Sequence, residues 1–179
     1  MVVLDNFLSN FDDLYNLVTN RDSSWTFLQH MTDPLGADVD QGFQRNLPKI
    51  LCRSIVDQVN AALDLNLKKI DLARANFKFP NTVNKDTRWF HVDQMQPHKV
   101  ILIYLTKSNA PTRLTDVYWE PGMKQLQQNL KVSDFVYPEP NRILVFDGLR
   151  YHADSVPTDT CRINVYMKGY EKASIWRSV

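Results

Sequence analysis

The chain has 179 residues, with 21 Lys and Arg against 20 Asp and Glu, a net charge of +1 and 44% hydrophobic residues. That is enough for one domain burying roughly 70% of its unfolded surface, and the balanced charge, with no run of like sign, excludes a broad footprint for nucleic acid or an anionic membrane. Two cysteines, Cys52 and Cys161, without a CxxC pair, and an opening "MVVLDNFLSNFDDLYNLV" unlike a signal peptide or a membrane span, point to a soluble, cytoplasmic protein with reduced thiols.

Along the chain, Leu14, Leu17 and Val18 recur at helical spacing behind Asp12 and Asp13, which suit a helix N-terminus. The stretch "PLGADVDQGFQ" reads as a loop. Ile50, Leu51, Ile55, Val59 and Leu63 then mark the apolar stripe of a second helix over 47–63, with Pro48 in its first turn. From Ile70 the period changes to near-alternation through Phe79, and Pro80-Asn81 ends that strand. "KVILIYLT", "RLTDVYW", "RILVFDG", "YHADSV" and "CRINVYMKGY" are further short strands, rich in β-branched and aromatic residues and punctuated by Pro, Asn, Asp and Gly. Only "GMKQLQQNLKVS" interrupts them, as a short helix or an excursion. The pattern predicts a mainly β fold with flanking helices: one domain over 1–179, with 1–68 as mainly helical support and 69–179 as an antiparallel sandwich or jelly-roll core.

Alternate side chains on a strand share a face, so His91 and Asp93 in "FHVDQ" point the same way while Val92 points the other. A solvated strand face explains a His and an Asp two apart as well as a metal does. Of the remaining histidines, His30 lies in a polar N-terminal region and His98 in a loop, whereas His152 opens a strand. Together, His91, Asp93 and His152 would form a two-histidine, one-carboxylate triad of the kind that suits iron(II) and leaves positions open. No thiolate pair exists to close a structural zinc site. Between His152 and Arg162, "ADSVPTDTC" has the composition of a turn, and a hairpin there would return Arg162 beside the strand of His152. An arginine entering the core needs an internal carboxylate or an anionic ligand, and surface exposure is a third explanation.

Taken together, "FHVDQ" followed by "VILIYLT", then "EPNRILVFDGLRYHADSV" and "CRINVYMK", resemble the iron(II)- and 2-oxoglutarate-dependent oxygenases, specifically their prolyl 4-hydroxylase-like branch, over about Phe77 to Tyr170. The resemblance implies a double-stranded β-helix of the cupin kind, with His91, Asp93 and His152 as catalytic iron ligands and Arg162 pairing with the distal carboxylate of 2-oxoglutarate. It also implies that Tyr104 hydrogen-bonds the same cosubstrate. Asn164 and Tyr166 share the face of Arg162 by alternation, as lining of the cosubstrate pocket or as polar packing of a barrel interior. Two departures stand out. The Gly-Gly-x-Thr/Leu element is replaced by "NAPTRLTDVYW", and a Tyr-Pro pair upstream of His-x-Asp by Phe79-Pro80.

The implied activity is oxidative decarboxylation of 2-oxoglutarate to succinate by O2, with ascorbate as a supporting reductant, coupled to C–H hydroxylation. The closest branch implies a prolyl residue of a peptide or protein as substrate, with a small molecule as the other option. Trp89, Tyr118, Trp119, Arg150 and Tyr151 flank the motifs where a mouth would lie, or else are packing residues. A nucleobase-oxidising or demethylating relative, faintly echoed in "RINVYMK", ranks lower because no basic surface accompanies it. A non-catalytic jelly-roll binding module is a further alternative, and metal-dependent hydrolysis would need an added general base.

Overall fold

In the computed structural model, residues 1–20, 22, 24–28, 42–81 and 89–171 are described. Two helices and twelve strands follow one another among them: β1 (Val2–Leu4), α1 (Phe11–Thr19), β2 (Thr26–Leu28), β3 (Gly42–Asn46), α2 (Lys49–Leu63), β4 (Leu67–Lys78), β5 (Phe90–His91) and β6 (Lys99–Tyr104). After them come β7 (Thr112–Tyr118), β8 (Leu126–Gln127), β9 (Val132–Val136), β10 (Arg142–Asp147), β11 (Arg150–Asp154) and β12 (Arg162–Glu171).

Two antiparallel sheets face each other. The larger has the order β1-β10-β6-β12-β4-β3-β2 and the smaller β8-β5-β11-β7-β9. The chain passes from one sheet to the other at β5→β6→β7 and again at β10→β11→β12, which is the exchange of a jelly roll. The expected architecture is therefore present.

Both helices cover one face of the larger sheet. Leu14 and Val18 of α1, with Ile55, Val56 and Val59 of α2, pack on Ile101, Ile103, Ile143, Val145, Val165 and Met167. The alternate residues Val100, Leu102, Tyr104, Leu144, Phe146 and Tyr166 point between the sheets. This double burial explains why "KVILIYLT" is apolar without interruption: each face of β6 meets a hydrophobic layer. Fully burying one such aliphatic side chain stabilises by about 1.5–3 kcal/mol.

Several expectations change in detail. The second helix starts at Lys49 with Pro48 as its N-cap, two residues later than the periodicity placed it. Within 1–68 the helices are joined by three short strands, β1, β2 and β3, that extend the larger sheet at both edges. Part of "PLGADVDQGFQ" lies outside the described residues, and its Gly42, Phe43 and Gln44 belong to β3. "GMKQLQQNLKVS" forms no helix; it is an excursion of turns around β8, which pairs with β5. Cys52 and Cys161 are both free thiols. No helix among the described residues is long and apolar enough to cross a membrane.

Candidate metal centre and cosubstrate pocket

Strand pairing brings the two histidines together. β5 and β11 are antiparallel neighbours with His91 directly opposite His152, and their rings lie 4.6 Å apart. Directly opposed residues on one face of a sheet are held at side-chain contact distance, so the register alone delivers two imidazoles to one point. Val92 is fully buried on the opposite face against Phe90, Tyr151 and Ala153, which fixes Asp93 on the side of His91.

Asp93 faces both rings: Oδ1 is 3.6 Å from His91 Nε2 and Oδ2 is 3.4 Å from His152 Nε2. One ligand atom from each of the three residues lies within 4.8 Å of the others. His152 Nδ1 lies 3.0 Å from the carbonyl of Arg150. A proton there leaves Nε2 as the lone-pair face, the tautomer that a metal needs. Burial, and then the neighbouring His152, push the His91 imidazole toward its neutral, ligating form despite the attraction of Asp93. Burial works against ionisation of Asp93, but hydrogen bonding to His152 and His91 prevails and holds its carboxyl well below the usual range. A carboxylate and two imidazoles on one side of a cavity match the facial donor set for iron(II).

Two residues support this centre: Tyr166, expected from the sequence only as pocket lining or polar packing, and Gln125, which the sequence did not single out. The Tyr166 hydroxyl donates to Asp93 Oδ2 at 2.6 Å. Burial, together with the adjacent charge of Asp93, drives the Tyr166 phenol far above its ordinary pKa, so it stays protonated and donating. Gln125, in the excursion before β8, donates from Nε2 to the carbonyls of Val92 (2.8 Å) and Asp93 (3.2 Å). That excursion therefore clamps the backbone of the His-x-Asp segment.

The cavity between the sheets is lined on the smaller sheet's side by His91, Asp93, Thr112, His152 and Asp154. On the larger sheet, β12 contributes Arg162, Asn164 and Tyr166, and β4 contributes Arg74, Asn76 and Lys78. Arg162 is 2% exposed. Its Nη2 donates to Thr112 Oγ1 at 2.9 Å and its Nη1 reaches the Ser155 carbonyl at 3.5 Å. Thr112 also shares a 2.7 Å hydrogen bond with the Tyr104 hydroxyl, and the guanidinium lies 5.6 Å above the Tyr104 ring. Tyr104 is thus buried behind Arg162 and Thr112. Lys78, 3% exposed, is ion-paired with Asp154.

The expected hairpin between His152 and Arg162 does not form. Both edges of β11 are taken, by β5 and β7, and β12 pairs instead with β4 and β6 in the other sheet. The turn "SVPTDT" is a corner between sheets, and Arg162 faces the triad's strand across the cavity. Alternation along β12 places Arg162 and Tyr166 about 13 Å apart at their Cα atoms, with Asn164 between.

The aromatics flanking the motifs lie elsewhere. Trp119 and Tyr151 pack on the outer face of the smaller sheet, with hydroxyl or indole hydrogen bonds to the carbonyls of Lys124 and Met123. Arg150 binds Asp134, Asp116 and Ser133, Tyr118 is exposed, and none of these, nor Trp89, lines the cavity. His98 is buried against Gly148, away from the triad, and His30 lies outside the described residues. A larger groove of about 800 Å³ runs between α2 and β4 and carries Cys52, with no clustered metal-ligand set among the described residues.

No protein-family profile matches the chain, and no curated protein matches it in sequence. Solved structures do match. The ribosomal oxygenase YcfD of Escherichia coli superposes with a TM-score of 0.57 at 15% identity, over 97% of this chain and 48% of that one, so the chain spans about half its length. A prolyl hydroxylase from Trichoplax adhaerens, solved with a peptide of hypoxia inducible factor, gives 0.59 at 11% identity over 95% and 83% of the two chains. The epimerase SnoN, solved with Fe3+, alpha ketoglutarate and nogalamycin RO, gives 0.65 at 8% identity over 95% and 78%. At these identities the likeness is one of fold: the two-sheet jelly roll described above is shared with these structures.

Proposed function

We propose that this chain is a single-domain iron(II)- and 2-oxoglutarate-dependent oxygenase. The observation that carries the reading is the coincidence, in one cavity, of the His91–Asp93–His152 donor set with a buried arginine on the facing sheet. When bound, iron and 2-oxoglutarate supply the oxidising power, by decarboxylation of the ketoacid with O2 to succinate and carbon dioxide and insertion of the other oxygen atom into a substrate C–H bond. The side chains hold the parts. His91, Asp93 and His152 bind the metal from one side and leave the cavity side open.

Arg162 takes the distal carboxylate, oriented by Thr112, which in turn is held by Tyr104. Asn164 lies midway along the same strand, beside the path of the cosubstrate. Tyr166 fixes the Asp93 carboxylate and so acts on the metal rather than on the cosubstrate. The buried apolar residues Val100 and Leu102 at the cavity wall limit water access to the reacting centre. Arg162 stands on the cavity wall facing the three donors, where its planar fork can receive a carboxylate, which favours the oxygenase reading over a binding module without cosubstrate.

The substrate class proposed from the fold neighbours is a peptide, a protein side chain or a small molecule. The test is release of succinate from 2-oxoglutarate in air. Iron(II)-dependent release that disappears in His152→Ala supports the reading, and release indifferent to iron and to that substitution contradicts it.

A further inference from the structure

We infer that the substrate carries a carboxylate and that Arg74 on β4 receives it. This deepens the oxygenase reading and rests on it. Register sets two parallel rows of polar side chains on the cavity wall: Arg162, Asn164 and Tyr166 on β12, and opposite them Lys78, Asn76 and Arg74 on β4. The β12 row is committed to the cosubstrate anchor and to Asp93. The β4 row, one strand spacing of about 4.8 Å to the side, contains two polar atoms that meet no hydrogen-bond partner among the described residues: Arg74 Nε and Asn76 Oδ1. Asn76 is 8% exposed, and both residues line the cavity.

Charge points the same way. Lys78 is paired with Asp154, and the Arg162 fork is assigned to the ketoacid, whereas Arg74 meets no carboxylate among the described residues. Its guanidinium stacks 5.3 Å from the centre of the Tyr166 ring, whose hydroxyl binds Asp93, and touches Gln44 Oε1 only at 3.4 Å. A carboxylate on Arg74 would therefore lie one tyrosine ring away from the metal ligand, with Asn76 Oδ1 beside it to accept from an N–H or O–H of the same substrate. Arginine's planar fork matches that group in a bidentate geometry.

The test uses binding rather than turnover. N-acetylated amino acids with apolar, polar and charged side chains, each as the free carboxylate and as the neutral carboxamide, are titrated into Zn(II)-loaded protein saturated with 2-oxoglutarate, with ligand-observed NMR as the readout. At least one carboxylate is expected to bind tenfold or more tightly than its own carboxamide. That ratio should be kept in Arg74→Lys and fall to about one in Arg74→Gln. Because the ratio is internal to each variant, partial unfolding does not mimic it. Equal binding of both forms, no binding of any carboxylate, or a ratio that survives Arg74→Gln overturns the inference. Absence of iron(II)-dependent succinate release in the wild type, with the ratio intact, removes the oxygenase reading instead.

Discussion

Replacing Tyr166 with phenylalanine removes one oxygen atom and keeps the ring that fills the cavity wall. The lost group is a neutral hydroxyl donating to the Asp93 carboxylate at 2.6 Å. A hydrogen bond to a charged group is worth about 1.5–3 kcal/mol. It forms in the metal-free protein too, so only the share that keeps Oδ1 and Oδ2 turned toward the histidines appears in metal affinity. Loss of partners that orient metal ligands costs roughly 10–100-fold in affinity, and tenfold corresponds to about 1.4 kcal/mol. Competitive titration of Mn(II) or Fe(II) against a chromophoric chelator measures this directly. At least tenfold weaker binding in Tyr166→Phe is expected, with the far-ultraviolet spectrum unchanged. Wild-type affinity in the variant would refute the role given to Tyr166 and return it to the cosubstrate pocket.

Thr112→Val deletes the acceptor that holds Arg162 Nη2 at 2.9 Å, and a net loss of about 1 kcal/mol should raise the 2-oxoglutarate dissociation constant roughly fivefold, with metal affinity unaltered by the same chelator titration. Gly148→Ala would place a Cβ 2.0 Å from His98 Nε2, and overpacking of this kind should lower stability by about 1–3 kcal/mol in urea unfolding. Asp134 accepts from the buried Arg150 at 2.5 Å, and although burial opposes its ionisation, hydrogen bonding to Arg150 lowers its pKa. A depressed carboxylate stabilises above its unfolded pKa of about 3.9 and loses that contribution as pH falls through the folded value. Asp134→Asn should therefore destabilise at pH 7, and the gap from wild type should close below about pH 3.9.

Much of the site was legible because a strand has only two faces. The alternation of His91, Val92 and Asp93, and of Arg162, Asn164 and Tyr166, placed each side chain on its correct face before any pairing was known. Pairing itself was not legible. The turn composition of "SVPTDT" is the same for a hairpin and for a corner between sheets, and only occupation of both edges of β11 decides between them. The role of Tyr166 depends on which residue lies across the cavity, a contact 73 positions away in sequence. Strands β1 and β2 span three residues each, too short to show a period. By contrast, "RANFK" did carry a signal: polar residues at every second position of β4 mark a wet interior face, and the apolar alternation of the same strand drew attention away from it.

Anaerobic addition of iron(II) and then 2-oxoglutarate to the purified chain, followed by visible absorption, tests the central claim most directly. A metal-to-ligand charge-transfer band should appear that requires both additions, is lost in His91→Ala, and needs far more 2-oxoglutarate in Arg162→Gln. Absence of the band, or an unchanged 2-oxoglutarate requirement in Arg162→Gln, would contradict the account.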